Sequence, residues 1–250
     1  MARLMGLFLR DDLARRMSIV MLCATLAIIA IFYVSGFWDA QSRIAHAFHR
    51  NLGLGWDEGL AESFNHGMAF VAAFLLLLCY LQTRGRVFVF LTALYAYIWV
   101  DDSAQYHERV GEKLGEALQI PEMFGIGRQQ YGEFLAWAFA GGVLFLLLLW
   151  AWRRRRPGDA GILLSFFLCF VLLVVCGIFV DTLHGLVPGR FDEIMQVFED
   201  GGEMVAVTLG AALSLGVSRN LAAYYAGAAE AEERAPCTDR GARIGGAARP

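Results

Sequence analysis

Residues 161–180 read GILLSFFLCFVLLVVCGIFV, twenty positions in a row without a charge. A helix rises 1.5 Å per residue, so this run covers about 30 Å, the thickness of a bilayer's hydrocarbon core. Working outward, further apolar blocks lie at residues 17–38, 64–83, 87–106, 133–152 and 199–218. With the run at 160–181 they predict an all-α membrane protein, a six-transmembrane-helix bundle formed by residues 1–225. Residues 226–250 are mostly Ala, Glu, Arg and Gly with little to bury, and are expected to be a disordered cytoplasmic tail.

Composition agrees. Hydrophobic residues make up 58% of the 250 residues and charged ones 18%, against about 25% charged in soluble domains. The chain has no basic patch interleaved with aromatics, so nucleic acid is not an expected partner. None of the five cysteines stands in a Cys-x-x-Cys pair, which argues against a disulfide framework or a thiolate metal site. The first apolar block follows Arg3, Arg10, Arg15 and Arg16 as a signal peptide's would. It is too long for a signal core, no Ala-x-Ala site follows it, and it is expected to stay as the first helix.

Basic residues set the orientation. With the N-terminus inside, the cytoplasmic segments carry 15 of the 21 Lys and Arg residues, including the run at 153–156. Six remain outside: Arg43, Arg50, Arg109, Lys113, Arg128 and Arg190. Both termini are therefore expected in the cytoplasm of a bacterial inner membrane. Between the third and fourth spans, Val110, Leu114 and Leu118 recur every four residues, predicting a short amphipathic helix on the membrane surface that ends near Pro121.

Bilayer thickness then serves as a ruler. The uncharged part of the third span, residues 87–100, is only about 21 Å long as a helix. Asp101 and Asp102 should thus lie within the outer leaflet. The same count from Arg219 places Glu203 below the outer surface, and from Arg84 it places His66 there. Four helices bring ionisable groups to one level: Glu62 and His66; Asp101, Asp102, His107 and Glu108; Asp181 and His184; Glu199 and Glu203. The first and fourth spans read as plain apolar rods. Spacings of three, four or seven put each pair near one helix face. Charges at this depth are costly unless they face the bundle interior and find partners. Few cations lie near, and converging carboxylates need a bound cation or shared protons.

Carboxylate and imidazole without thiolate suit zinc, iron or manganese. The expected divalent-metal ligands are Asp101, His107, Asp181, His184, Glu199 and Glu203. Glu108 is the candidate catalytic base, with Glu62, His66 and Asp102 as supporting or alternative ligands. Asp181-x-x-His184 matches, with Asp for Glu, the Glu-x-x-His spacing of two-metal helical bundles. Singly, each acid also reads as a cap or an interfacial group.

The motifs Asp101-Asp102-x-x-x-x-His107-Glu108 and Glu199-Asp200-x-x-Glu203-Met204 resemble those of an uncharacterised family of bacterial multi-pass membrane proteins. The resemblance covers the third to sixth spans. It implies fold and setting, and carries no established activity. Trp56-Asp57-Glu58 and Glu62 to His66 are similar, by analogy only, to the early acidic segment of alkaline ceramidase-type membrane hydrolases. Those are seven-helix proteins with a histidine-held zinc and a late His-x-x-x-His motif that this chain lacks. The functional expectation is a periplasm-facing metal site, in an enzyme that hydrolyses or oxidises a lipid-like substrate. A cation or proton transporter and a non-catalytic assembly protein are the alternatives. Thr92, Thr208 and Ser214 are the polar residues a transport path would use.

Overall fold

The computed structural model describes residues 1–39, 43–52, 54, 59–122, 127–187 and 189–233, and among these the regular elements are all helical. They are α1 (Ala2–Arg10), α2 (Asp12–Asp39), α3 (Arg43–Leu52), α4 (Leu60–Thr83), α5 (Arg86–Ser103) and α6 (Tyr106–Ala117). Then come α7 (Arg128–Trp152), α8 (Asp159–Val174), a π-helical segment (Val175–Val180), α9 (Asp181–His184) and α10 (Asp192–Glu233).

Five helical stretches are long and apolar enough to cross a membrane: Asp12–Ser35, Leu60–Thr83, Arg128–Trp152, Asp159–His184 and Asp192–Glu232. Helices α5 and α6 form a sixth when counted as one bent span. Helix α5 carries three charges in its 18 residues, Arg86, Asp101 and Asp102. It stops at Ser103, where Gln105 adopts left-handed backbone (φ 49°) and the chain turns by 70° into α6.

Helix α10 is the central post. Helices α1, α2, α4 and α8 pack around it, α5 lies on α4, and α7 packs on α5 and α6. One end of the bundle is filled by hydrocarbon and aromatic rings, among them Leu76, Phe88, Leu91, Ile162, Phe166 and Val217, all buried. At this end Asp11 caps α2 through the Leu13 and Ala14 amides, at 3.1 Å each, and accepts hydrogen bonds from Arg219 Nε at 2.7 Å and Asn220 Nδ2 at 3.2 Å. The buried Asp159 accepts from the Arg156 amide at 2.7 Å and from the Tyr225 hydroxyl at 2.5 Å. Two basic residues of this end lie over aromatic rings, Arg86 4.5 Å from the Trp150 centroid and Arg155 4.1 Å from that of Trp152.

Three details differ from the sequence expectation. The short helix α6 forms, but its buried residues are Gly111 and Gly115, not the Val110–Leu118 stripe, and Leu118 is exposed. A Cβ on Gly132 would overlap the Gly111 carbonyl oxygen, so α6 meets α7 backbone to backbone. Helix α10 runs to Glu233, so residues 226–233 of the expected tail are helical, and 234–250 lie outside the described residues. Helix α1 was not anticipated; its Leu4 is buried against α10 and α8.

Candidate functional site

The opposite end of the bundle holds a cavity of about 640 Å³. Its wall includes Glu62, Asp102, Glu108, Glu133, Asp181, Glu199, Asp200 and Glu203, together with His107 and His184, and no Lys or Arg among the described residues. Most of the acids and histidines singled out from spacing and depth therefore share one space. Asp101 and His66 stand immediately behind its wall.

Each histidine is oriented by carboxylates. His107 donates its backbone N–H to Asp101 Oδ1, and its Nδ1 lies 3.1 Å from Asp101 Oδ2. Trp137 Nε1 on α7 donates to the same Oδ2 at 3.3 Å. The buried Asp101 thus ties α5, α6 and α7 together at the 70° bend. His107 Nε2 is 3.9 Å from Glu108. On the next wall, His66 Nε2 approaches Asp102 Oδ2 at 3.1 Å and Glu62 Oε1 at 3.7 Å, as ion-pair contacts rather than aligned hydrogen bonds. Asn65 Nδ2 donates to Asp102 Oδ2 at 3.3 Å. On the third wall, His184 spans two acids, with Nδ1 2.6 Å from Glu199 and Nε2 2.9 Å from Asp192. Asp181 stands beside Glu199.

Among the described residues no three of His, Cys, Asp and Glu group closely enough to hold a metal ion. Five of the six expected ligands line one cavity with Asp101 behind its wall, and the two histidines stand in separate pairs, His107 with Asp101 and His184 with Glu199.

A second chamber of about 210 Å³ adjoins the first. Asp102, His107, Trp137, Gly177 and Glu203 line both. The rest of its wall is largely apolar, with Ile98, Leu144, Phe170, Leu173, Val174 and Val207. Glu203 sits at the junction. Its carboxylate fits against Gly177 in the π-helical segment, where a Cβ would collide with Oε1. A π turn inside an α-helix is frequently a feature of functional sites.

Sequence reasoning missed several members. Helix α7 is not a plain rod: it supplies the buried Glu133, hydrogen-bonded by Gln129 at 2.8 Å, and Trp137. The spacing 129, 133, 137 marks one helix face and was a usable signal. Asn65 gave no such signal, being a single amide in an apolar run. His49 belongs elsewhere, stacked on Phe32 with centroids 4.7 Å apart and bonded to Ser35 at 2.7 Å. Trp56, Asp57 and Glu58 lie outside the described residues. Toward the packed end, Thr208 is bonded across the helix interface to Thr25 of α2 at 2.7 Å, and Ser214 to the Gly210 carbonyl one turn back in α10 at 2.8 Å.

Fold and site together define a bundle of apolar helical spans with an acid- and histidine-lined cavity at one end. Residues 17–217 match a family described as Domain of unknown function (DUF8692), and the chain belongs to that family. No curated protein and no solved structure matches it.

Proposed function

We propose that this is a multi-pass protein of a bacterial inner membrane, N-in and C-in, whose periplasm-facing cavity binds a positively charged ligand and acts on a lipid-like molecule. One observation carries the reading: eight carboxylates and two histidines line a single cavity, with no Lys or Arg on its wall among the described residues. Two carboxylates about 4 Å apart repel by roughly 4 kcal/mol at an effective dielectric of about 20. A cation in their midst converts that repulsion to attraction. The distribution of basic residues, 15 toward the packed end and tail against six toward the cavity end, supports the orientation. The hydrocarbon- and ring-filled half of the bundle weighs against a transport path.

A divalent metal, zinc, iron or manganese, is the narrower form of this reading. The Asp101–His107 pair favours it, because a carboxylate on Nδ1 leaves Nε2 to face the cavity, as in many metal-binding histidines. Bound there, the metal would activate water or oxygen, and Glu108 is placed to take a proton. The test is elemental analysis of the purified protein, followed by zinc and manganese titrations of wild type, Asp102→Asn and Glu203→Gln. The expected result is saturable binding that weakens at least tenfold in each variant. Absence of saturable binding to wild type would remove the metal form of the reading.

A further inference from the structure

We infer that the two chambers form one binding site for a single-chain amphiphile with a primary ammonium head, the head among the carboxylates and the chain in the apolar chamber. This rests on the reading of the polar cavity as a cation site and names what the cation is.

Four observations converge. The chambers share five wall residues, two of them the acids Asp102 and Glu203, so charge and apolar surface meet at one place. The apolar chamber, at about 210 Å³, is larger than the cavity of about 150 Å³ that accommodates benzene in an engineered protein interior. By that proportion it takes a hydrocarbon segment of about six to nine carbons.

Asn65 supplies an independent indication. It lines the apolar chamber and is only 7% exposed. Its Nδ2 donates to Asp102, while its buried Oδ1 has no hydrogen-bond partner. A buried acceptor left unsatisfied is destabilising. A primary ammonium at the junction satisfies this oxygen with one N–H and the acids with the others. A quaternary ammonium has no N–H and leaves it orphaned. The indole of Trp137, its centroid 4.7 Å from that of His107 at the same junction, adds an aromatic surface of the kind that attracts ammonium groups.

The fourth observation concerns access. Trp137, Gly141 and Leu144 of α7 and Phe170, Leu173 and Val174 of α8 face the apolar chamber. Yet among the described residues α7 packs mainly on α5 and α6, with no extended packing on α8. The chamber therefore lies in a gap between two membrane-length helices, the route by which a chain enters sideways from lipid. A bare metal ion uses neither this gap nor the apolar wall, nor does it supply a donor to Asn65.

The experiment uses the full-length protein in lipid nanodiscs, with thermal unfolding followed by tryptophan fluorescence. The probes are octylammonium, octyltrimethylammonium, octyl sulfate and methylammonium, each corrected for partition into empty nanodiscs, with zinc and manganese as separate arms. Octylammonium is expected to raise the midpoint saturably, and at least tenfold more tightly than the other three organic probes. Asn65→Leu and Val207→Trp should each weaken octylammonium at least tenfold, and Val207→Trp, which touches no acid of the polar cavity, should leave any metal binding intact. Glu203→Gln should weaken both ligand types. Val207→Trp tests the chain site and Asn65→Leu the head site, so loss of fold in either leaves the other informative. Metal binding without octylammonium binding would overturn this inference alone. Binding of neither would overturn the cation-site reading as well. Equal stabilisation by octyl sulfate or octyltrimethylammonium would show that chain partition, not head recognition, produces the effect, and would also overturn the inference.

Discussion

The Glu203 carboxylate occupies the space that any side chain at position 177 would need. Two residues 26 positions apart in sequence are thus fitted to each other at the point where the polar and apolar chambers meet. Gly177→Ala inserts a methyl group where that carboxylate sits and must displace it, the end of a flexible side chain beside a cavity, at a cost of about 1 kcal/mol or less. Glu203→Ala in the same chain should recover most of the loss. A double-mutant cycle on unfolding midpoints checks it: simple additivity of the two changes would show that the residues do not meet.

The α6–α7 packing makes a second prediction. A methyl on Gly132 would strike the Gly111 carbonyl, whereas a Cβ on Gly141, in the same helix, meets nothing within 4 Å. Gly132→Ala should displace α6 and weaken the bonds from His107 to Asp101, at a cost of about 1–3 kcal/mol or more. Gly141→Ala should be neutral or slightly stabilising, since alanine favours helix by up to about 1 kcal/mol over glycine. Hydrogen exchange over Tyr106–Ala117 reads the difference. Equal protection in both variants would contradict the close approach.

His184 makes two hydrogen bonds that should not be equal. Its Glu199 partner is 18% exposed in the side chain, and its Asp192 partner 68%. Water screens the second pair far more than the first. Glu199→Gln should therefore cost about 1–3 kcal/mol and Asp192→Asn less than about 1 kcal/mol. The reverse order in thermal unfolding would show that the exposed pair holds α10 to α9.

Asp11 gives a pH dependence. Hydrogen bonds from Arg219, then from the Ala14 amide, pull its carboxyl down from 3.8 to about 2. A carboxyl whose folded value is lowered stabilises the fold fully above its unfolded value and loses that contribution as pH falls through the folded one. The difference in unfolding midpoint between wild type and Asp11→Asn should be constant from neutral pH down to near 3.8, then close toward pH 2. A gap that persists unchanged at pH 2 would show that the effect does not depend on the ionised carboxylate, and would contradict both the Arg219 pair and the charged cap.

Much of this fold was legible in the chain because long apolar helices are written in local composition. The run at 161–180 needs no partner to be recognised, and α8 begins at Asp159, one residue from the expected start. That Asp101, Glu203 and His66 gather toward one end of the bundle was legible too, since counting residues from a basic boundary measures distance along a straight helix. What failed locally were boundaries governed by packing. The α10 helix continues past Tyr225 because it packs there on the start of α8 and on α1: the Tyr225 hydroxyl reaches Asp159 and Arg3 lies against Gly227. Helix α6 turned its glycines inward because close backbone approach to α7 outweighs burial of a sparse leucine stripe.

By itself, the sequence determined that the chain is a set of apolar helices, and that acids and histidines gather at one level of several of them. Hydrophobic length and charge position are properties of each segment alone. Only the tertiary structure decided that these groups line one cavity, that they stand as carboxylate–histidine pairs, that α7 joins them through Glu133 and Trp137, and that an apolar chamber opens from the same wall. The physical reason is rotation and crossing. A residue's height along its helix follows from counting, but the direction it faces and the neighbour it meets depend on how the helices pack. That packing rests here on small residues such as Gly132 and Gly177, whose role is the space they leave for something distant in the chain.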